Sequence, residues 1–505
     1  MFFQGHFKSG SGTELFQETR LNNNLSTPYE PPASVATEKS ALPMRSRTLH
    51  AAQLTARIDC LPACRSTWLF VLLVSLAAIF EAYELFQTAF IPPGLIAAGI
   101  FSAHNGLFGL SDQATFGAVT FLGLFIGALC FSSVADRFGR RTVFVYALIA
   151  YSAASVGVAC QSTALGIDFF RLLAGIGLGV ELVTIDTYLV EITPAHMRGR
   201  AFAFNHFIQY FGVPILAFIS WLLIPVAPFG ISGWRWVILI GAVGAVPVWF
   251  LRRALPESPR WLALQGRVNE AEQIVDGMEK RAILLTGKSL PAARQAVAEE
   301  PREARFSEIW KKPYGKRTMM LTFFNIFQAI GFFGFANWLP ALVASQGHGV
   351  TKSLLYSSYI ALAYPFMSLF WYFTVAERFE RKWMIVCAGV GVAITGQLFS
   401  VTSSAAGLIT LGILITGFSV LLSLAYHPYQ AELFPTQVRA RAVGFVYSFS
   451  RLSAAASSFL IAFCLNKAGT PGVFALITFS MVAMMVAIGC FGPRTRGRSL
   501  DDIAH

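Results

Sequence analysis

Nine ionisable side chains stand in stretches that are otherwise apolar: Glu81, Glu84, Asp168, Arg171, Glu181, Asp186, His206, His427 and Arg451. In the middle of a bilayer a charged group costs about 2.5–3.5 kcal/mol on insertion scales, so each implies a function. Two could do proton chemistry. Glu84, in FEAYELFQ, and Arg171, which opens RLLAGIGLGVE, carry opposite charge. Arginine does not release its proton, so the carboxylate is the titrating member of such a pair. Contact with the guanidinium keeps it ionised, and separation in a dry cavity lets it take a proton. Glu81, nearly one turn earlier, is a second candidate. Arg451, in SFSRLSAAASS, is a candidate for anion binding, since its planar fork matches a carboxylate bidentately. An internal partner, Glu181 or Asp186, is the other reading. His206, His427, Gln87, Asn325, Gln328, Asn337, Trp338 and Tyr210 are the residues that could complete a binding wall.

The elements that must hold these groups follow from hydropathy. Of 505 residues 55% are hydrophobic and 13% charged, against roughly 25% charged in soluble domains. About twelve apolar runs of roughly 20 residues read as membrane-spanning helices. They begin near Trp68, Ala114, Thr142, Leu165, Phe202, Trp236, Met319, Leu354, Met384, Gly407, Ala442 and Gly472. With the N-terminus inside, inward turns carry Arg137, Arg140, Arg141, Arg198, Arg200, Arg378, Arg381, Lys382, Arg439 and Arg441. Outward turns hold little beyond Arg235, Lys352 and Lys467. That asymmetry places both termini in the cytoplasm. It also accounts for the net charge of +12 without a nucleic-acid partner.

Depth then pairs residues. Glu84 lies roughly 24 Å up a helix rising from Trp68, at 1.5 Å per residue. That is some 6 Å short of the outer edge of a core of about 30 Å. Arg171 lies roughly 9 Å below the outer end of a descending helix, at a similar depth. Arg451, roughly 15 Å beyond Arg441, lies at the midplane.

A repeat organises the whole. ADRFGRR at Ala135 recurs as AERFERK at Ala376, and VEITPAHMRGRAFAF at Val190 as AELFPTQVRARAVGF at Ala431. Phe86–Gln87 recurs as Phe327–Gln328, always at an offset of 241 residues. Parallel repeats of this kind put a substrate site at their interface near the midplane. The fold expected is an all-α membrane protein with 12 transmembrane helices in two six-helix pseudo-symmetric bundles. Residues 1–66 form a cytoplasmic, largely disordered tail, 67–253 the first bundle, 254–317 a helical linker, 318–492 the second bundle and 493–505 a cytoplasmic tail. Acid and base at the repeated turns form a cytoplasmic gate of Asp136, Arg137, Arg140, Glu191, Arg198, Glu377, Arg378, Glu432 and Arg439. Topology needs only the cations, so the acids point to gating. Met44 could be the native start, and no signal peptide is visible. The glycines of GIGLG read as close helix contacts rather than a phosphate loop. The seven cysteines form no disulfide or metal framework.

ADRFGRR, the doubled E-x-x-P-x-x-x-R-x-R turns, RLLAGIGLGVE, LPESPRWL and the tail GPRTRGRSL together resemble the major facilitator superfamily, in its sugar-porter-like branch of bacterial inner-membrane metabolite carriers. The resemblance covers nearly all the chain after about residue 54. It implies that Glu84 occupies the position of the first-helix aspartate of proton-coupled sugar porters, and Arg171 that of its partner. It also implies that His206 and His427 replace sugar-binding glutamine and tryptophan, and that Arg451 is similar to an eleventh-helix arginine of organic-anion carriers. The expectation is a proton-coupled importer of a small organic acid or related polar metabolite, working as a monomer in the bacterial inner membrane. Its partners are substrate, protons and lipid, with no cofactor, no metal and no enzymatic activity. A sugar or polyol:proton symporter is the alternative, and a non-transporting receptor is the alternative from another class.

Overall fold

The computed structural model describes residues 43–102, 106–253, 255–292, 306–312, 314–375, 378–434 and 436–495. Residues 1–42 and 496–505, expected as tails, lie outside them. A chain in hydrocarbon must satisfy its own backbone polar groups, which a helix does within each segment.

α1 (Met44–Asp59) precedes the first span, α2 (Arg65–Phe90), and the short α3 (Pro92–Ala97) follows it. Spans two to four are α4 (Asp112–Phe138), α5 (Arg140–Cys160) and α6 (Ala164–Ile192). The fifth is broken into α7 (Arg198–Gln209) and α8 (Gly212–Leu223), and the sixth is α9 (Gly233–Arg253). The linker carries α10 (Pro259–Leu264) and α11 (Val268–Thr286). The second half runs α12 (Tyr314–Ala336), α13 (Leu339–Ala344), α14 (Val350–Ala361), α15 (Ala363–Thr374), α16 (Arg381–Val401), α17 (Ala405–Glu432) and α18 (Thr436–Phe491).

The repeat holds at the level of caps. Thr163 accepts from Gly166 N–H at the start of α6, and Ser404 accepts from Gly407 N–H at the start of α17, both at 3.2 Å. Side-chain oxygens at this position satisfy donors the helix cannot. The broken spans have a shared cause. Pro214 and Pro365 each follow a break by about one turn, and proline clashes with the carbonyl four residues before it. The last apolar stretch, Arg441–Phe491, is 51 residues long, more than twice what a core of about 30 Å requires. It folds back at Gly469 (φ 63°, ψ −161°), a backbone open to glycine alone. Eleven apolar helices of spanning length among the described residues therefore make twelve spans.

Glycines set the closest approach. A Cβ on Gly123 in α4 would stand 2.5 Å from the Leu172 carbonyl oxygen and 2.9 Å from the backbone of Gly175 in α6. This is the close contact expected of GIGLG. A shared apolar layer of Phe121, Ala329, Phe333 and Ala454 joins the two halves.

One expectation needs correcting. The tail before residue 66 was expected to be largely disordered, yet Met44–Asp59 is helical. Its Ala51, Leu54 and Ile58 recur at helical spacing and pack with Trp261 and Leu262 of α10 and Val275 and Met278 of α11. Arg57 then forks onto Glu279 at 2.9 and 2.6 Å and reaches Asp276 at 2.5 Å. These hydrogen bonds, chiefly those to Glu279, hold its guanidinium above the usual arginine range.

Candidate functional site

A cavity of about 200 Å³ lies between the halves. Each half contributes the same surfaces of its fourth and fifth spans. In the first these carry Asp186, His206 and Tyr210; one repeat later the same positions carry His427, Tyr447 and Arg451. The two walls match in geometry and differ in charge.

Arg451 Nη2 donates to the Tyr447 hydroxyl at 2.9 Å. Its guanidinium stands 4.9 Å from the Tyr447 ring centroid and 5.9 Å from that of Phe333. Among the described residues it makes no ion pair, so neither Glu181 nor Asp186 neutralises it by contact. His427 Nδ1 lies 2.8 Å from the Ser423 carbonyl, and His206 Nδ1 lies 3.0 Å from the Phe202 carbonyl. A carbonyl only accepts, so both Nδ1 atoms carry hydrogen. The two imidazole centroids are 6.2 Å apart across the halves. Glu81 and Gln328 also line the cavity, Glu81 accepting from Gln209 Nε2 at 3.1 Å.

Glu84 and Arg171 meet beside the cavity, inside the first half. Glu84 Oε2 is 3.3 Å from Arg171 Nη1, and both side chains are 1% exposed. Ser155 donates to the same carboxylate oxygen at 2.9 Å. Arg171 also donates to Thr120 Oγ1 at 3.0 Å, to Gln87 Oε1 at 3.1 Å and to the Glu84 carbonyl at 2.5 Å. Among the described residues Glu84 Oε1 has no hydrogen-bond partner. The arginine places four of its five N–H donors, while only one oxygen of the acid is bonded.

Four expected wall residues stand elsewhere. Gln87 is turned to Arg171. Asn325 donates to the Gln430 side chain and to the Leu321 carbonyl, each at 2.8 Å. Asn337 accepts from Thr88 at 3.1 Å, tying the halves together. Trp338 is buried in the core of the second half. None of the four lines the cavity, although Gln87 Nε2 and Asn325 Oδ1 keep no hydrogen-bond partner among the described residues.

At the repeated turns, Arg140 reaches Glu191 at 3.4 Å, and Arg381 pairs with Glu432 one repeat later. Arg198 and Arg439 donate to the carbonyls of Thr193 and Phe434. The second-half ion pair uses Arg381, which stands outside the expected gate set; Arg378 and Arg137 are exposed. Gly139 (φ 96°) redirects the chain so that Arg140 opens α5. These pairs lie within each half. Glu377 and the side chain of Asp136 lie outside the described residues. Glu257, from LPESPRWL, accepts from Arg141 N–H at 3.1 Å and Ser258 N–H at 3.0 Å. Burial pushes its carboxyl above the usual range, against those two donors.

A family model described as "Sugar (and other) transporter" matches residues 95–505. The chain belongs to that family. YyaJ of Bacillus subtilis (strain 168), named for metabolite transport, is 30% identical over 446 residues, covering 88% of this chain and 96% of its own. The niacin transporter NiaP of Acinetobacter baylyi is 26% identical, over 89% and 99% of the two chains. The partially occluded inward open structure of the xylose transporter XylE from E. coli matches with a TM-score of 0.69 at 19% identity, covering 85% of this chain and 99% of that one. At that identity the match speaks for the fold, which is that of the major facilitator superfamily.

As a sugar-porter-like metabolite transporter, the chain holds contacts that its sequence did not announce. Ser155 and Thr120 complete the Glu84–Arg171 network, and the second-half positions of neither carry a matching charge. Asp59 accepts from Ala195 N–H at 2.8 Å and from Arg198 at 3.1 Å, binding α1 to the turn that precedes α7. The signal available for Tyr447 was the repeat itself, which sets it opposite His206.

Proposed function

We propose that this transporter imports a small organic acid or related polar metabolite together with protons, by alternating access. Arg451 carries the reading: a buried guanidinium on the cavity wall that donates to a tyrosine and, among the described residues, makes no ion pair. An arginine so placed favours an anion that can replace lost hydration with two parallel hydrogen bonds. His206, His427, Tyr210 and Gln328 form the polar wall around the substrate. The naming of one relative for niacin, an aromatic carboxylic acid, agrees with this class.

Glu84 is the proton carrier and Arg171 its switch, with Glu81 as a second acid at the cavity. While paired, Glu84 stays ionised. When rocking of the halves draws the guanidinium away, the dry, half-satisfied carboxylate takes a proton. Asp136, Arg137, Arg140, Glu191, Arg198, Glu377, Arg378, Glu432 and Arg439 form the cytoplasmic gate. The protein works as a monomer in a bacterial inner membrane, both termini inside, with residues 254–317 linking the bundles.

The test is ligand-induced thermal stabilisation of the purified protein. Carboxylates stabilise it, sugars do not, and Arg451→Ala abolishes the effect. Stabilisation by pentoses or polyols alone would establish the sugar-symporter reading that Gln328 favours. Tight binding without flux in reconstituted vesicles would establish a receptor.

A further inference from the structure

The cavity has a second charged wall that the uptake of a simple acid does not use. Asp186 lines it and is exposed to it. Among the described residues it has no hydrogen-bond partner, and Arg451 lines the same cavity. The other carboxylate in the cavity, Glu81, is 2% exposed and held by Gln209. Asp186 occupies the place that His427 holds one repeat later. His427 Nε2 lies 3.5 Å from the Tyr447 hydroxyl, and the first-half counterparts of that pair are Asp186 and His206. The acid therefore belongs to the first half and the arginine to the second, both on the wall of one cavity.

A plain carboxylate bound to Arg451 leaves the Asp186 carboxyl group without a partner in the same small space. A molecule that also carries a basic nitrogen satisfies both walls and spans the two halves. Phe332, Phe333 and Tyr426 on the cavity surface offer ring faces to the body of such a molecule, and ring faces also attract cations. We infer that Asp186 and Arg451 are the two ends of one amphoteric subsite, so that carboxylic acids bearing a basic nitrogen are preferred over those without one. This rests on Arg451 being the carboxylate-binding group.

The experiment compares 3-(aminomethyl)benzoate with 3-methylbenzoate, two probes of nearly equal shape, by calorimetric titration of the purified full chain. The wild type binds the amino acid probe about tenfold or more tightly than the methyl probe, the scale of one paired charge in a partly desolvated site. Asp186→Asn brings the two dissociation constants together, and Asp186→Glu restores part of the ratio, which excludes a folding defect as the cause. Equal binding of the probes by the wild type, or a ratio that survives Asp186→Asn, overturns the inference. Unaltered binding of 3-methylbenzoate by Arg451→Ala instead overturns the organic-acid reading beneath it, and failure of the wild type to bind either probe overturns both.

Discussion

Two buried arginines with different company carry the functional argument at the residue scale. Arg171 places four of its five N–H donors on Glu84, Gln87 and Thr120, so its role is internal. Arg451 keeps most of its donors for whatever enters the cavity. Removing it is expected to weaken carboxylate binding about 30-fold or more, within the range for losing one partner of a desolvated charge pair. Arg451→Lys keeps the charge but loses the fork, and recovers only part of the affinity. Ser155→Ala deletes one donor to Glu84 and is expected to cost about 0.6–1.7 kcal/mol of stability, the measured span for interhelical hydrogen bonds in membranes. Reversible unfolding in mixed detergent reads that change, and a neutral result would remove Ser155 from the network. The sequence carried the pairing of Glu84 with Arg171, because depth along two straight helices is simple arithmetic. It did not carry the company of Gln87, Asn325 and Asn337. Depth leaves rotation about the helix axis open, and a span apolar all round has no polar face to set it.

Elements convert this chemistry into motion or restrain it. The breaks in the fifth and eighth spans come before Pro214 and Pro365 and lie beside Tyr210 and Tyr364, whose ring centroids are 5.5 Å apart across the halves. The α4–α6 contact, by contrast, is rigid. Gly123→Ala is expected to destabilise the first half by about 1–3 kcal/mol, the cost of overpacking, because its methyl meets backbone rather than a movable side chain. A thermal midpoint equal to wild type would contradict that. The glycine spacing of GIGLG was enough to expect this packing. The helix α1 was hidden because its apolar positions are sparse and their partner face lies more than 200 residues away, in α10 and α11. Asp59→Ala removes the acceptor shared by Ala195 and Arg198 and is expected to speed hydrogen exchange at the turn 193–198. Unchanged exchange there would mean that α1 packs without steadying the gate.

At the scale of the whole molecule the 241-residue offset explains most of the architecture. It recurs in motifs, helix bounds, caps, ion pairs and the cavity walls, so the two-bundle fold was legible before any coordinate. The charge difference between the walls was not, since a repeat predicts where side chains stand and not which neighbours leave them unpaired. The inside-basic distribution further predicts that, in a cysteine-free background, Phe229→Cys is labelled by an impermeant reagent added to intact cells and Lys288→Cys is not. The opposite pattern would invert the orientation. The most direct test of the central claim uses proteoliposomes loaded for either exchange or gradient-driven uptake of 3-methylbenzoate. Glu84→Gln is expected to exchange substrate across the membrane yet fail to accumulate it against a gradient when a proton gradient is imposed. Full accumulation by that variant would contradict the account.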